Sequence, residues 1–409
     1  MTSLFRCSTL FAGKVYLTSF AHREELFNIA ERWLCNRPEP SDGLRLTQIL
    51  ICDGFVLGET LGAFARLLLP TINDKPFLAS RIFFTGDIVE SICKHAGIQT
   101  PRVEELIRRY RANPDFFYVE APINGTICTD EEGCLLAIYR IKRPRRIAEK
   151  ANRYIANWIF RMVQSRAREM AEERARKFGI PLSRLLTPEE EMAREFTFAE
   201  EAIAQTFKEG AARLDKSALT INDVGGIKIV GDEDALLRVE ESLKKHPAVN
   251  IVEEERHQGA YRARSMIVEA SWDRETICRT YLEAQAWKRY LGRGVEEDEL
   301  GKGIDRLLNN VEPRIRFELI LSTLPDLVES ELGMSIHGER IVAQRRRRIY
   351  RGYIPMNVEF LIEYLFCVGL SPQTRVDSLP VKLWGRYLPD TIGFHIRKLY
   401  GLPEYDALY

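Results

Sequence analysis

The sequence predicts an α+β fold organised around a mixed β-sheet. Short runs of β-branched and apolar residues are interspersed with long helical patterns, but not in the regular alternation of a βαβ series. The segment 314–322 alternates apolar and polar residues, as expected for a strand with one packed face. With 409 residues the chain has room for two or three domains, and its hydrophobic content of 45 % is ordinary for a globular protein.

Residues 1–130 are predicted to form a mixed α/β domain. Helical patterns run near Arg23–Trp33 and Arg102–Tyr110, separated by short apolar runs that suit strands. Hairpin turns are predicted at "INGT", which starts at Ile123, and at "DEEG", which starts at Asp130. This region carries no catalytic pattern, so we interpret it as a regulatory or partner-binding module.

Residues 131–340 are predicted to form the main domain, with helical insertions at about 151–215 and 273–310. Proline suits the first turn of a helix, so a long helix should begin at Pro144, and Gly179 should end it. Strands are expected at 226–230, 249–255, 262–270 and 314–322.

Two further helical regions complete the expected organisation. The acid-rich turn at Thr187 predicts the start of a second helix, which should run to about Leu214. Residues 341–409 are predicted to be a helical C-terminal region, with 369–380 as a loop.

Charge, apolar segments and cysteines all favour a cytoplasmic protein that does not associate with membranes. Lys+Arg and Asp+Glu each number 59, so affinity for polyanions must come from local clusters. The most apolar window, 49–70, is interrupted by Asp53, Glu59 and Arg66, which favours a buried helix over a bilayer span. The N-terminus lacks the basic start and sustained apolar run of a signal peptide. The eight cysteines show no CxxC pair, which is typical of reduced thiols.

Two carboxylates lie beside predicted strands. Asp223 comes just before two glycines and a β-branched run in "INDVGGIKIV", so the backbone beside it is free of side chains. Glu318 lies on the polar face of the alternating segment 314–322. Taken singly, an acidic turn and a solvated strand face are the simpler interpretations. Taken together, the two acids favour a site for a metal ion and a phosphorylated ligand.

A row of cations precedes these acids in the chain. Lys142, Arg146 and Lys150 are spaced four residues apart and share one face of the helix expected from Pro144, with Arg140 just before them. Cations aligned in this way repel one another, which favours a polyanionic ligand such as a triphosphate. A basic, solvated helix is the alternative interpretation.

These pieces, in this order, resemble the synthetase domain of the RelA/SpoT-type alarmone synthetases over residues 140–337. "RIKRPRRIAEK" is similar to the phosphate-binding helix of that family, "DVGGIKIV" to its D-x-x-G-I-R-V strand, and "GAYRARSMIV" to its G-Y-x-S-x-H strand. "FELILSTLPDLVESELGMSIH" is similar to V-E-I-Q-I-R-T followed by A-E-x-G-x-x-x-H, and it keeps the family's spacing at Thr323, Glu331, Gly333 and His337. The resemblance implies a mixed-sheet, nucleotidyltransferase-like synthetase domain.

The resemblance also implies an activity and the residues that carry it. The family transfers pyrophosphate from ATP to the 3′-hydroxyl of GDP or GTP, with Mg²⁺ as cofactor. Asp223 and Glu318 would hold the metal, and Glu318 would also orient or deprotonate the attacking hydroxyl. The implied ligands of the ATP phosphates are Arg140, Lys142, Arg146 and Lys150. The implied acceptor ligands are Tyr261, which would stack on the base, Lys228 and Arg264.

The chain departs from the family pattern at several positions. Arg146 stands where the family has a serine, and Lys228 replaces an arginine with a less fork-like cation. Ser265 stands where the family has a histidine, and Ile320 and Ser322 replace Gln and Arg beside the glutamate. The acceptor pocket is therefore expected to differ from that of the guanine-specific enzymes.

Two alternatives to the leading interpretation stay open. The arginines of "QRRRRIYRGY", Arg345–Arg348, are candidates for binding tRNA, whose 3′ end some family members modify, although a solvated helix surface or a partner for the acidic helices is the slightly favoured interpretation. The other alternative is a non-catalytic nucleotide-sensing or interaction module. The six histidines include no His-Asp dipeptide, so the hydrolase domain of the long family members is not expected.

Overall fold

The structure is a computed structural model, and it describes residues 16–95, 100–184, 189–210, 220–259, 261–333 and 353–402. Its strands, in chain order, are β1 (Tyr16–Leu17), β2 (Leu78–Phe84), β3 (Pro122–Thr129), β4 (Leu135–Ile141), β5 (Thr220–Ile221), β6 (Gly225–Val230), β7 (Val249–Gln258), β8 (Arg262–Ser271) and β9 (Arg314–Ser322). Its α-helices are α1 (Arg23–Leu34), α2 (Asp42–Leu68), α3 (Thr85–Lys94), α4 (Pro101–Ala112), α5 (Pro144–Lys177), α6 (Glu189–Lys208), α7 (Glu233–Lys245), α8 (Arg274–Glu283), α9 (Glu297–Gly301), α10 (Leu324–Leu332), α11 (Tyr353–Leu370) and α12 (Pro389–Leu399).

Seven strands form one mixed sheet in the order β2-β3-β4-β6-β9-β8-β7. β6 and β9 are parallel neighbours in the middle of the sheet, and the other neighbouring pairs are antiparallel. A separate two-stranded sheet pairs β1 with β5. The predicted α+β class with a mixed sheet is therefore what the structure has.

Helix α2 covers one face of the sheet. The apolar residues of β9 alternate as the sequence predicts, and Phe317, Leu319 and Leu321 are buried towards α2. The Phe317 ring meets the Phe64 ring of α2 edge-on, with 5.0 Å between centroids. Burial of these side chains supplies much of the energy that holds the sheet to its helix.

The opposite face of the sheet is only partly covered. Around Ile82, Ile138 and Val230 it packs against α3, α4 and α10. On β9 the residues facing this side, among them Glu318 and Ile320, stay half-buried. The sheet thus has a closed side and a side with open polar positions.

Two helices are long and apolar enough to cross a membrane by length and composition, 42–71 and 353–370. Most of the apolar window of each, 72 % and 67 %, is buried inside the protein. Core helices of a folded domain have the same character. The predicted burial of the window 49–70 agrees with this arrangement.

The sheet continues across residue 130. β2 and β3 come from the predicted domain 1–130, and they extend the same sheet as β4, β6 and β9 from the predicted domain 131–340. A division of the chain at residue 130 therefore does not follow an edge of this sheet.

One of the two predicted hairpin turns is confirmed and the other is wrong. The turn at Asp130 joins β3 to β4, with Gly133 at φ +83°. "INGT" lies inside β3 instead. A Cβ on Gly125 would approach Tyr139 O to 3.2 Å and Ile82 Cγ1 to 3.3 Å, so this glycine serves close strand packing rather than a turn.

The helical expectations hold closely in the described residues. α5 begins at Pro144, and Gly179 follows its end with φ +65°. α6 ends at Lys208 and is followed by a turn with Gly210 at φ +69°, so the predicted extension to Leu214 is wrong at residues 209 and 210. Residues 211–214 lie outside the described residues. The stretch 273–310 contains α8 and α9, and its apolar side packs against α2.

Candidate functional site

Three neighbouring strands bring Arg140, Gly226 and Glu318 into one row across the open face. Arg140 of β4 is the register partner of Gly226 in β6, and Gly226 is the register partner of Glu318 in β9. Directly paired residues point to the same side of a sheet. Since Gly226 has no side chain, the guanidinium and the carboxylate face a gap between them.

The gap extends to the other side of Arg140. Its register partner in β3 is Gly125, so glycines flank this arginine on both neighbouring strands. The Arg140 guanidinium forms no hydrogen bond or ion pair with any described residue. An arginine held in this way can accept an anionic ligand without losing an existing partner.

Asp223, just before β6, is clasped by two lysines. Lys142 lies directly after β4, and its Nζ is 2.8 Å from Asp223 Oδ2. Lys150, two turns along α5, pairs with the same carboxylate oxygen. The backbone N–H of Lys142 also donates to the Val224 carbonyl oxygen at 2.8 Å, which ties the start of α5 to the start of β6.

These charges strongly perturb one another. Burial disfavours the ionised form of Asp223, but Lys142 and Lys150 outweigh it and lower the pKa of the carboxyl to about 2. Burial also lowers the pKa of the Lys142 ammonium, while attraction to Asp223 and to Glu318 opposes that effect. Lys142 therefore lies within electrostatic range of both carboxylates.

The two carboxylates each keep an oxygen available. Asp223 Oδ1 is buried and has no hydrogen-bond partner in the described part of the chain. Glu318 Oε1 accepts a hydrogen bond from Ser265 Oγ at 3.0 Å, and Glu318 Oε2 lies 4.0 Å from where a Cβ on Gly226 would be. A buried polar atom without a partner is rare in a folded protein and is typical of a binding site.

Carboxylate oxygens of this kind fit a hard divalent cation such as Mg²⁺. Asp223 lies two residues before β6, in which Gly226 is the register partner of Glu318, and Lys142, which binds Asp223, is also attracted to Glu318. The two side chains thus approach one region of the open face from different strands, and a ligand between them would bring both into use.

Arg146 and Lys228, which were predicted to bind phosphate and acceptor, pair with acids other than Asp223 and Glu318. Arg146 forms an ion pair with Glu149 within α5. Lys228 lies on the open face, but its Nζ is bound to Glu331 at 2.9 Å in α10. Neither residue extends the Asp223–Glu318 site in the present arrangement.

Arg264 lies on the other side of the sheet from Glu318. Its register partner is Leu321, which faces α2, and its guanidinium binds Glu240 at 2.9 Å and Glu233 at 3.0 Å in α7. The alternation of a strand places residue 264 opposite to residue 265, so the assignment of Arg264 to the acceptor site is withdrawn. Tyr261, just before β8, is half-buried, with its ring centroid 6.3 Å from that of His257.

Ser265 is the site residue whose role the sequence analysis missed. It entered that analysis as a departure from the family pattern, whereas its hydroxyl is the donor that holds Glu318. The alternating pattern of β8 was the available signal, because it places residue 265 on the open face. His337 and Arg345–Arg348 lie outside the described residues.

Comparisons with known proteins add little to this geometry. No family model matches the chain, and no curated protein matches it. Among solved structures, the chain is similar to the small alarmone synthetase 1 from Bacillus subtilis, with 12 % identity, 64 % of this chain and 84 % of that chain covered, and a TM-score of 0.20. A TM-score this low carries no argument about activity.

Proposed function

We propose that this chain is an ATP-dependent pyrophosphokinase that transfers the β,γ-pyrophosphoryl group of ATP to the 3′-hydroxyl of a guanine nucleotide. The observation that carries the proposal is the Asp223 carboxylate, clasped by Lys142 and Lys150 with its Oδ1 unpartnered among the described residues, two residues before the strand that pairs with the one bearing Glu318. Cations beside carboxylates with available oxygens are the components that phosphoryl transfer requires.

The cations are arranged to bind the phosphates of ATP. Lys142 and Lys150 converge on the Asp223 carboxylate, just before β6. Arg140 faces the open side of the sheet from β4. Ammonium and guanidinium groups stabilise the charge that develops on the phosphoryl oxygens during transfer. Arg146 contributes to the positive potential of α5 in this proposal, although its own guanidinium pairs with Glu149.

The metal in this proposal is Mg²⁺, held by Asp223 and Glu318. When bound, it would neutralise part of the phosphate charge. Asp223 is suited to such a ligand because its pKa of about 2 keeps the carboxylate ionised at any physiological pH.

In the proposed transfer step, one bond to the β-phosphorus of ATP forms and one breaks. The 3′-oxygen of the acceptor forms a bond to the β-phosphorus of ATP, the bond from that phosphorus to the α,β-bridging oxygen breaks, and AMP leaves. Glu318 accepts the proton that the hydroxyl loses, through the oxygen that Ser265 does not hold. Tyr261 stacks on the acceptor base in this proposal, next to the strand that carries Ser265.

Transfer of label from ATP tests the reaction class. The purified chain is incubated with Mg²⁺ and ATP labelled on the α- or γ-phosphate, and with GDP, GTP or deacylated tRNA as acceptor. The γ-label should move to the guanine nucleotide, and the α-label should appear in AMP. Labelled tRNA would replace the acceptor, ADP would indicate an ordinary kinase, and binding of ATP without any transfer would contradict the proposed activity.

Two substitutions test the residues. Asp223→Asn and Glu318→Gln remove one charge each without changing side-chain size, and each should reduce transfer by about 10³-fold or more, since both carboxylates are needed for charge stabilisation. Glu241→Gln, an exposed acid on α7 with 70 % of its side chain accessible, is the matched control and should leave the rate unchanged. Circular dichroism and thermal unfolding check that all three variants fold. Full activity in the Asp223→Asn, Glu318→Gln double variant would remove these residues from the mechanism.

A further inference from the structure

Glu318 differs from Glu269, another acid on its face of the sheet, in what holds it. Glu269 of β8 lies on the same face, and its carboxylate is bound by Arg316 at 2.8 Å, with Arg314 at 3.6 Å. Glu318 forms no ion pair with any residue that the structure describes, and its carboxylate accepts a hydrogen bond from the neutral hydroxyl of Ser265. A cation neutralises a carboxylate, whereas a hydroxyl orients it and leaves its charge available.

The position of Ser265 follows from the register of the sheet. Ser265 of β8 is opposite Ile320 of β9, and Ile267 is opposite Glu318, so Ser265 is a diagonal neighbour of Glu318 on the open face. Its side chain is buried, with 8 % of the residue exposed. A short buried side chain between two strands has few alternative rotamers, so the hydroxyl offers a fixed anchor.

The hydrogen bond from Ser265 makes the two carboxylate oxygens of Glu318 inequivalent. Oε1 is held by Ser265 at 3.0 Å, and Oε2 is the oxygen next to the empty space above Gly226. That space separates Glu318 from Arg140, which occupies the next position but one in the row. Without the anchor, the glutamate would sample several rotamers about its side-chain torsions.

We propose that Ser265 is a positioning residue that aims Glu318 Oε2 into the space above Gly226, where the acceptor hydroxyl and the donor phosphates meet. This inference rests on the proposed function, since it assigns Ser265 a role in the same transfer step. It adds a residue of this chain that the reaction depends on and that touches neither the nucleotide nor the phosphates.

Ser265→Ala and Ser265→Thr test the role in opposite directions. Alanine removes the hydroxyl and should lower kcat about 10- to 100-fold, the usual cost of losing a partner that orients a functional ligand, with KM for ATP nearly unchanged. Threonine restores the hydroxyl and should recover most of the lost kcat. Ser371→Ala is the matched control, because Ser371 is a buried serine just after α11 whose hydroxyl donates to the Val368 carbonyl oxygen. It should keep the wild-type kcat.

The same variants have a readout that does not need turnover. Mn²⁺ binding, followed by electron paramagnetic resonance on the full chain, should weaken several-fold in Ser265→Ala, recover in Ser265→Thr and stay unchanged in Ser371→Ala. Equal kcat and equal Mn²⁺ affinity in wild type and Ser265→Ala would overturn the inference, as would a change confined to KM.

A wild-type chain that transfers nothing to any acceptor would contradict the proposed function separately. The Mn²⁺ titration then decides the role of Ser265 alone, since weaker binding in Ser265→Ala with recovery in Ser265→Thr would still show that Ser265 positions Glu318.

Discussion

The two faces of the central sheet use the same residue type for opposite purposes. A Cβ on Gly225 would lie 2.8 Å from Leu57 Cδ1 and 3.2 Å from Leu61 Cδ1, so this glycine lets α2 approach β6. A Cβ on Gly226 would meet Glu318 O at 3.4 Å and Glu318 Oε2 at 4.0 Å, which are ordinary contacts. Gly225 therefore lets α2 pack against β6, whereas a methyl group at residue 226 would fit with ordinary contacts.

Asp53, which is fully buried, and Asp223, which is partly exposed, differ in how their oxygens are satisfied. His22 and Asp53 satisfy each other fully. The Asp53 carboxylate accepts from the His22 backbone N–H at 2.9 Å and from its Nδ1 at 2.6 Å, while His22 Nε2 donates to Leu307 O at 2.8 Å. Two lysines bind one carboxylate oxygen of Asp223, and the other oxygen has no hydrogen-bond partner among the described residues. Complete satisfaction is typical of a structural pair, and an unpartnered buried atom is typical of a binding site.

Burial alone does not distinguish the His22–Asp53 pair from the charged residues of the proposed site. The two glycines after Asp223 were expected to keep the backbone free of side chains beside a ligand. Gly225 makes room for α2 instead, so only Gly226 fits that expectation. What distinguishes the proposed site is a combination: the unpartnered Asp223 Oδ1 lies on a carboxylate that two lysines bind, and Gly226 lies between Arg140 and Glu318 in the sheet.

The largest contrast should come from adjacent residues of β9. Glu318→Gln is expected to reduce transfer by about 10³-fold, equivalent to about 4 kcal/mol of transition-state stabilisation, with a change in unfolding free energy below about 0.5 kcal/mol. Phe317→Ala empties a fully buried site against Phe64, and it should lower the free energy of unfolding by about 3–5 kcal/mol. Urea unfolding and labelled-ATP assays on both variants measure the two effects, and similar stability losses would break the comparison of the two faces.

The neighbouring glycines give the next contrast. Gly225→Ala forces a methyl group against Leu57 and Leu61 and should cost about 1–3 kcal/mol of stability. Gly226→Ala meets only ordinary contacts, so its stability should change by less than about 1 kcal/mol.

Activity should respond in the reverse order. A methyl group at residue 226 enters the space between Arg140 and Glu318, so Gly226→Ala should slow transfer by roughly 10-fold or more. Thermal unfolding and initial rates, measured side by side on both variants, would contradict this assignment if Gly226→Ala were the less stable protein.

The smallest expected effect is a pH dependence of stability on the closed side. Burial disfavours the charged form of His22, but the Asp53 carboxylate outweighs it and raises the pKa of His22 above its usual 6.5. The stabilisation is therefore complete below pH 6.5 and is lost as the pH rises through the higher value in the folded protein. Each unit of difference between the folded and unfolded pKa of His22 corresponds to about 1.4 kcal/mol.

The check is the unfolding free energy of wild type and His22→Gln between pH 6 and pH 9. The wild type should lose stability over this interval by more than the variant does. A wild-type curve parallel to that of His22→Gln would mean that the His22–Asp53 pair does not titrate with folding.

The sequence alone determined the local elements and the identity of the charged residues. The alternation in Arg314–Ser322 specified a strand with one apolar face, and Pro144 marked the start of α5, because both signals depend on neighbours in the chain. Asp223, Lys142 and Lys150 could be nominated for the same reason, since spacing along a helix or beside a strand is local information.

Tertiary structure decided which residues face each other. Strand register set Gly226 between Arg140 and Glu318, turned Arg264 towards α7 and brought Ser265 onto Glu318. It also joined β2 and β3 to strands from the second half of the chain. Pairing between distant segments is chosen by packing over the whole core, and a shift of one residue reverses every side chain, so composition and periodicity could not specify it.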